Sequence, residues 1–299
     1  MNSQKQTVLV TGTSSGIGRS VSETLAQQGH NVFAAMRQVA GKNAAAAQEL
    51  KDFAQQENLS LQVVEMDTTD DASVTAAVQS IVDSAGGIDV LVNNAGMMTI
   101  GVSEALSVAQ VARMCETNIV GTFRVTQAVL PHMRKRGSGY LVYVSSTSSL
   151  IVYPFMSMYG ATKAAFSALA EALHYEVYSL GIDTTILQCG SYATALPQNV
   201  VTGERAGVVE EYGMVGAIGN AVVGNFASAL APGAATDPGQ LGELIGDLIS
   251  RPSGERPLHL PTGLFSEPVI PLNEAIGAVQ GQILSAFQME SLVKRPESA

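Results

Sequence analysis

A short apolar segment at 7–10 leads into the sequence Thr-Gly-Thr-Ser-Ser-Gly-Ile-Gly at 11–18, and a helical pattern follows it. A buried strand, a glycine-rich turn and a helix in this order are typical of an α/β unit whose helix N-terminus faces a phosphate group. We expect Gly12 to allow the tight turn, Gly16 to let a pyrophosphate approach the backbone, and Gly18 to permit close packing of the helix on the strand. The alternative is a Gly/Ser turn in an α/β domain that binds no nucleotide.

The rest of the chain predicts the same alternation of strands and helices. Near-continuous apolar runs indicate strands that are buried on both faces, and helical patterns separate them. The predicted fold class is therefore α/β, a Rossmann-like doubly wound parallel sheet with helices on both faces, forming a single domain over 1–299. The predicted strands are 7–10, 32–36, 61–66, 90–92, 141–144, 184–187 and 256–260. The predicted helices are 19–28, 44–57, 71–84, 107–135, 157–180, 240–249 and 272–293.

Tyr159 and Lys163 lie four residues apart at the start of one of these helices, and the hydroxyl-rich sequence at 145–147 precedes them. An i, i+4 pair shares one helix face, so the ammonium can lie beside the phenol. A free phenol has a pKa of about 10, and a positive charge about 5 Å away contributes about 3 kcal/mol toward the phenolate. We therefore predict that Lys163 lowers the pKa of Tyr159 and that Tyr159 exchanges protons. Taken alone, the spacing also fits an ordinary helix pair.

With these motifs combined, the chain resembles the short-chain dehydrogenase/reductase family, in the branch marked by TGxxxGxG and YxxxK, over about 7–194. The resemblance implies that Tyr159 is the general acid or base and that Lys163 binds the nicotinamide ribose. It also implies that Ser146 hydrogen-bonds the carbonyl or alcohol oxygen. Asn118 matches the asparagine that holds a water molecule in the proton relay. These four residues are the predicted catalytic set.

The resemblance also implies a nicotinamide dinucleotide cofactor. Asp67 matches the acid that contacts the adenine amino group, and Thr194 matches the threonine that meets the nicotinamide carboxamide. The proline usually found before that threonine is absent, and Cys189 stands in its place, where we expect a small buried side chain. The expected cofactor-binding residues are Gly12, Ser14, Ser15, Gly16, Ile17, Gly18, Arg37, Asp67, Asn94, Ala95, Gly96, Tyr159, Lys163 and Thr194.

The choice of cofactor depends on the end of the second predicted strand, where Met36 is followed by Arg37. No acid stands there to accept hydrogen bonds from a ribose 2′-hydroxyl, and a guanidinium binds a 2′-phosphate in bidentate fashion. We therefore predict NADP(H). NAD(H) is the alternative, because the glycine loop lacks a basic residue and because Arg37 also fits a solvated loop position.

Composition narrows the class of protein. The chain has 299 residues, of which 46% are hydrophobic and 14% charged, enough for one large core. A formal net charge of −10 argues against nucleic-acid binding. Two cysteines give no disulfide framework, and the chain opens without a signal-peptide pattern, so we predict a cytoplasmic enzyme. The four histidines show no metal-ligand spacing, so no metal is predicted.

The stretch 213–235 carries no charge and many glycines. Its length suggests a membrane span, but the glycines, two asparagines and a proline argue against one, and no membrane partner is predicted. By the resemblance, the segment at about 191–236 forms a lid over the active site, and its small aliphatic residues suit an apolar substrate. The alternative is packing against a second subunit. A C-terminal helical extension at about 271–294 is expected to cap the pocket or reach a partner.

The sequence therefore predicts an NADP(H)-dependent oxidoreductase that interconverts a secondary alcohol and a ketone or aldehyde, on a largely apolar small-molecule substrate. One alternative is an NAD(P)-binding sensor or scaffold without turnover. A sugar-nucleotide epimerase or dehydratase is a third possibility, although those enzymes usually show a GxxGxxG loop. By the resemblance, a homodimer or homotetramer is expected through helices 107–135 and 157–180.

Overall fold

The computed structural model describes residues 5–194, 200–231 and 233–295. Within them, seven strands form one parallel sheet in the order β3-β2-β1-β4-β5-β6-β7, as predicted for a doubly wound α/β fold. The order reverses between β1 and β4, and ligands of such sheets bind at this point, beyond the carboxyl ends of the strands. The strands are β1 (Thr7–Thr11), β2 (Asn31–Met36), β3 (Leu61–Glu65), β4 (Val90–Asn93), β5 (Gly139–Val144), β6 (Ile182–Cys189) and β7 (His259–Thr262).

Helices cover both faces of the sheet. Most of the predicted helices match within a few residues, but the last one ends at Ala286 rather than 293, and two helices in the predicted lid segment, at 206–211 and 213–229, were not predicted. The helices of the described residues are α1 (Gly16–Gln27), α2 (Ala44–Gln56), α3 (Asp71–Ala85), α4 (Val108–Cys115), α5 (Gly121–Arg136), α6 (Ser157–Val177), α7 (Ala206–Glu211), α8 (Gly213–Ala229), α9 (Pro238–Ser250) and α10 (Ile270–Ala286). The predicted helix 107–135 is two helices, α4 and α5, joined by one π-helical turn at Glu116–Val120.

The core consists of two apolar layers, one on each face of the sheet. Alternate residues of β1 belong to different layers because side chains of a strand point to opposite faces. Val8 and Val10 pack in the layer that includes residues of α1, α2 and α9. Leu9 packs in the other layer, which includes residues of α3, α5 and α6. Burial on both faces explains why the strands read as continuous apolar runs.

Local sequence signals fix several helix ends. The side chain of Asp70 accepts a hydrogen bond from the Ser73 amide at the start of α3, and Gly86 ends that helix in the left-handed conformation. Ser107 and Gln110 form a reciprocal capping box at the start of α4. Each device satisfies amide or carbonyl groups that the helix leaves unpaired. These capping residues therefore determine both ends of α3 and the start of α4.

Part of the predicted lid, 195–199 and Pro232, lies outside the described residues. The remainder contains α7 and α8. No helix in the described parts of the chain has both the length and the apolar character needed to cross a bilayer.

Candidate active site

A cleft of about 790 Å³ opens beyond the carboxyl ends of the central strands. It brings together most of the residues that the sequence singled out, although they come from distant parts of the chain. Gly18 and Asn118 do not line it and support its walls instead. The predicted residues that line the cleft are Gly12, Ser14, Ser15, Gly16, Ile17, Arg37, Asp67, Asn94, Ala95, Gly96, Ser146, Tyr159, Lys163 and Thr194.

The glycine loop packs tightly on the segment after β4. Gly12 has φ +71°, and a Cβ atom there would lie 2.7 Å from the Cα of Ala95. A Cβ on Gly18 would lie 2.4 Å from the Asn94 Nδ2 atom and 2.4 Å from the Gly12 carbonyl oxygen. Asn94 Nδ2 itself donates to the carbonyl oxygens of Thr11, at 2.9 Å, and Gly12, at 3.1 Å. No larger residue fits at either glycine without displacing this contact.

The start of α1 faces the cleft and suits a pyrophosphate. Ser15 occupies the N-cap position, and its side chain makes no capping hydrogen bond. The first amide groups of a helix lack partners within the helix, and the helix dipole favours an anion there. Thr194 borders this loop, with its Cβ 3.5 Å from the position of a Cβ on Gly16. These residues fit the diphosphate of a dinucleotide.

Ser146, Tyr159 and Lys163 lie together at the end of β5. Ser146 follows the strand in an extended conformation, and its hydroxyl accepts a hydrogen bond from the Ser148 amide at 3.2 Å. Lys163 donates from Nζ to the Val144 carbonyl oxygen at 2.8 Å. The Nζ atom lies 6.0 Å from the centroid of the Tyr159 ring and 4.6 Å from that of Phe166. The helix α6 thus places both side chains of the YxxxK pair at the cleft.

Burial dominates the protonation of this pair. It raises the pKa of Tyr159 to about 12, against the opposing effect of the Ser146 hydroxyl. Burial likewise lowers the pKa of Lys163 to about 8. The prediction of a lowered Tyr159 pKa is therefore wrong for the cofactor-free protein, because desolvation of the phenolate dominates and raises the pKa.

Asn118 is buried in the π-helical turn between α4 and α5. Its Oδ1 atom accepts from the Met97 amide at 2.8 Å, and its Nδ2 atom donates to the Met97 carbonyl oxygen at 2.9 Å and to Thr162 Oγ1 at 3.0 Å. The side chain therefore ties the segment after β4 to α6. Such turns are frequent at functional sites. The predicted role of Asn118 in a proton relay stays a prediction.

The end of the cleft that lies beyond β2 and β3 is polar, and two basic side chains line it. Arg37 and Lys42 are exposed side chains that line it. Asp67 accepts from the amide and hydroxyl of Thr69 at 3.0 and 2.7 Å. Burial acts to raise the pKa of Asp67, but these bonds and the charges of Arg37 and Arg124 lower it below its usual value. The sequence analysis did not predict Lys42 as a cofactor-binding residue. In the sequence it is recognisable only as a second basic residue, after Arg37, in the loop that follows β2.

The other end of the cleft is apolar, and sequence reasoning missed most of its lining. These residues lie in loops and in helices of the C-terminal half of the chain. They belong to no recognisable sequence motif, so the sequence alone does not identify them. They are Met97, Met98, Tyr153, Met156, Tyr192, Val201, Phe226, Leu230 and Phe265. Four of them, Tyr192, Val201, Phe226 and Leu230, belong to the predicted lid segment. The apolar lining is what a hydrophobic ligand requires.

Cys189 lines the cleft beside Lys163 and is buried. Burial raises the pKa of its thiol to about 12, and the positive charge of Lys163 only partly opposes this. The side chain is therefore a neutral thiol at physiological pH, which agrees with the expected packing role. Across the described residues there is no group of three or more His, Cys, Asp or Glu side chains arranged to hold a metal ion.

Comparison with known proteins identifies the family. The family model described as short chain dehydrogenase matches residues 6–205. The chain belongs to the short-chain dehydrogenase/reductase family. Members of this family are NAD(P)-dependent dehydrogenases or reductases, and this protein is such an enzyme.

Individual relatives of this short-chain dehydrogenase/reductase cover most of its length. It is 32% identical over 210 residues to a 3-ketodihydrosphingosine reductase of Bacteroides thetaiotaomicron, a match that spans 70% of this chain and 72% of the relative. The solved structure of a short-chain dehydrogenase from Streptomyces avermitilis superposes with a TM-score of 0.75 at 27% identity, covering 97% of this chain and 98% of the other. A serine dehydrogenase complexed with NADP+ gives a TM-score of 0.72 at 25% identity, covering 86% and 94%.

Proposed function

We propose that this enzyme is an NADP(H)-dependent oxidoreductase that interconverts a largely apolar secondary alcohol and the corresponding ketone or aldehyde. The supporting observation is that Ser146, Tyr159 and Lys163 line one cleft, between an apolar end and an end that carries Arg37 and Lys42. The name of one relative specifies reduction of a keto group. Polar chemistry next to an apolar chamber suits a carbonyl on a hydrophobic substrate.

In this proposal each side chain has a separate task. The Ser146 hydroxyl hydrogen-bonds the substrate oxygen, and the Tyr159 hydroxyl donates a proton to that oxygen in reduction or accepts one in oxidation. Lys163, held by the Val144 carbonyl, binds the cofactor ribose. A bound nicotinamide supplies or accepts the hydride. A general acid placed in this way commonly accelerates a reaction 10²- to 10⁴-fold.

The proposed preference for NADP(H) rests on charge at the polar end. Arg37 and Lys42 both line the cleft there, and the last residue of β2 is Met36 rather than an acid. A guanidinium and an ammonium each form charge-assisted hydrogen bonds with a phosphate. The 2′-phosphate of NADP(H) can therefore pair with two cations, whereas the uncharged 2′-hydroxyl of NAD(H) cannot form these ion pairs. NAD(H) remains the alternative cofactor.

The proposed apolar substrate rests on the other end. Tyr153, Met156, Phe226, Leu230 and Phe265 line it, and the described part of the lid segment contributes two of these five. Phe226 lies in α8 and Leu230 directly follows it, so we assign this segment as a cover that excludes water from the reacting atoms. A ketone with a bulky hydrocarbon body would bury more of its surface here than a small polar one.

The test is cofactor oxidation followed by absorbance. The purified enzyme is mixed with NADPH or NADH and a panel of ketones and aldehydes that range from small and polar to bulky and apolar. We expect turnover with NADPH on the bulky apolar members and a kcat lower by 10²–10⁴ for Tyr159→Phe. Wild-type turnover by Tyr159→Phe on the same substrate would refute the assigned chemistry.

A second candidate, a cofactor-binding sensor without turnover, is favoured by one observation. The protein's own groups raise the pKa of Tyr159 to about 12, which is unfavourable for proton exchange near pH 7. Fluorescence titration with NADPH separates the two candidates. Tight binding of NADPH without oxidation by any member of the panel would support the sensor.

A further inference from the structure

The C-terminal helix α10 is unusually exposed for a helix of 17 residues. Leu284 is its one buried side chain, and Asn273 and Gln280 are partly covered. Gly277 and Gly281 weaken it further, since both lower helix propensity and neither has a neighbouring atom within 4 Å of where a Cβ would lie. Helices of this length are marginal in water unless one face is packed. Within one copy of the protein, α10 therefore has almost no packed face.

Polar contacts hold the C-terminal segment against the body at both ends. At the start of α10, Asn273 and Gln188 exchange two amide hydrogen bonds, at 3.0 and 2.6 Å. Beyond its end, Arg295 forms an ion pair with the buried Asp183 and donates to the Tyr178 carbonyl oxygen at 2.9 Å. These contacts hold the segment against the body at both ends of the helix.

Beside these contacts, the exposed surface of α10 carries a regular apolar stripe. Leu272, Ile276, Val279, Ile283 and Phe287 recur at intervals of four, three, four and four residues, and each is between 39% and 67% exposed. Spacings of three and four residues place these side chains on one face of the helix, the arrangement with which one helix packs against another. An isolated exposed apolar residue needs no explanation, but a continuous stripe does.

The charge of this surface identifies the partner. From Ile270 to Met289 the chain has one charged residue, Glu274, although the whole chain carries a formal net charge of −10. A helix that lies on a membrane surface needs Lys or Arg on its polar face, and α10 has neither. When two copies of this acidic protein meet through an uncharged surface, they avoid placing like charges in close contact.

We propose that α10 pairs with α10 of a second copy and forms a twofold dimer interface distinct from the helices α4, α5 and α6. In a twofold pair the same patch serves both subunits. Val279 is at the centre of the stripe, so it faces its own counterpart whether the two helices run parallel or antiparallel. This inference does not depend on the proposed reaction.

The surface area of α10 alone is too small for a stable dimer interface. A 17-residue helix is about 25 Å long and about 10 Å wide, so one face has a footprint on the order of 250 Å². A stable interface buries about 800 Å² on each partner. The pair therefore extends onto the exposed apolar residues that follow α10, Met289 and Val293.

The test uses opposite charges at the centre of the stripe, in the full chain. We expect wild type to be at least a dimer by light scattering coupled to gel filtration, and both Val279→Glu and Val279→Lys to have half its molar mass. Like charges at the twofold axis repel in each variant alone. An equimolar mixture of the two variants should restore the mass, because Glu and Lys then face each other across the axis. Restoration excludes misfolding as the cause of dissociation.

A matched control lies on α5, where Phe123 is exposed to a similar degree. Phe123→Glu should leave the mass unchanged if α10 forms the contact. A monomeric wild type would overturn the proposal, as would dissociation by Phe123→Glu but not by Val279→Glu. A monomer that cosediments with neutral phosphatidylcholine vesicles through α10 would also overturn it and assign the stripe to lipid.

Discussion

The Nζ atom of Lys163 lies 2.8 Å from the carbonyl oxygen of Val144, the last residue of β5. This hydrogen bond fixes an ammonium group at the carboxyl end of the central strands, where the glycine loop and Ser146 also meet. The group is buried there, and burial lowers the pKa of Lys163 to about 8 from an ordinary value of 10.5. Positioning of the cation therefore costs stability, as is common at functional sites.

Lys163→Met should make the cofactor-free protein more stable at pH 7. The folded state binds fewer protons than the unfolded state between about pH 8 and 10.5, so the wild-type penalty is complete below pH 8 and vanishes above 10.5. The shift corresponds to about 3 kcal/mol, less about 1 kcal/mol for the lost hydrogen bond. Chemical denaturation at several pH values measures the difference, which should shrink as pH rises through this range. A variant that is less stable at pH 7 would contradict this account.

Gly18→Ala should abolish the contact between the glycine loop and Asn94. The added methyl group would lie 2.4 Å from both Asn94 Nδ2 and the Gly12 carbonyl oxygen, which are held by neighbouring hydrogen bonds. We expect cofactor affinity to fall at least tenfold and the melting temperature to drop. Gly207→Ala is the matched control, since its methyl group meets no atom within 4 Å and should not lower either quantity. Isothermal titration and thermal melting give the two readouts.

The sequence predicted the parts of the site that depend on special residues. Gly12 and Gly18 are recognisable because no other residue fits where they stand, and Tyr159 and Lys163 because their chemistry requires a fixed helical spacing. The parallel sheet was predictable because the strands β1, β2, β4 and β5 are apolar and buried on both faces. All of these are local constraints, so they leave a local pattern.

The features of the site that could not be predicted from the sequence depend on contacts between segments that are distant in the chain. Phe226 and Phe265 reach the cleft from parts of the chain far from every motif, and any large apolar residue satisfies that position. The π-helical turn at Asn118 was also missed, since the apolar pattern of 107–135 continues through it. The raised pKa of Tyr159 follows from burial, which only the folded structure reveals.

Arg37→Asp and Lys42→Asp should each weaken NADPH binding more than NADH binding. Each removes a charge-assisted hydrogen bond to the 2′-phosphate and adds a repelling carboxylate, a loss of about 1.5–3 kcal/mol or roughly ten- to a hundredfold in Kd. Lys51→Asp, an exposed cation on α2 outside the cleft, controls for net charge. Fluorescence titration with both cofactors measures the ratio. An unchanged ratio in both variants would refute the proposed preference.

Asp183→Asn should destabilise the protein by about 3–5 kcal/mol, because it leaves two arginines without their buried partner. The Asp183 side chain is 2% exposed and pairs with Arg256, at 2.7 Å, and with Arg295. Asp71→Asn is the matched control, since Asp71 also pairs with an arginine but is 87% exposed. Its loss should be within about 1 kcal/mol. Equal effects of the two variants in urea denaturation would show that burial does not govern the Asp183 network.

Phe226→Ala should separate bulky from small substrates, because the ring at the apolar end contacts only a substrate large enough to reach it. Loss of an aromatic contact of this kind costs about 1.5–3 kcal/mol, so KM for a bulky apolar ketone should rise roughly ten- to a hundredfold while kcat changes less. Met214→Ala provides the control on the same helix, since that side chain is 78% exposed and does not line the cleft. For a small ketone, both variants should match the wild type. If Phe226→Ala lowers kcat equally for all substrates, the segment orders the catalytic groups and does not select the substrate.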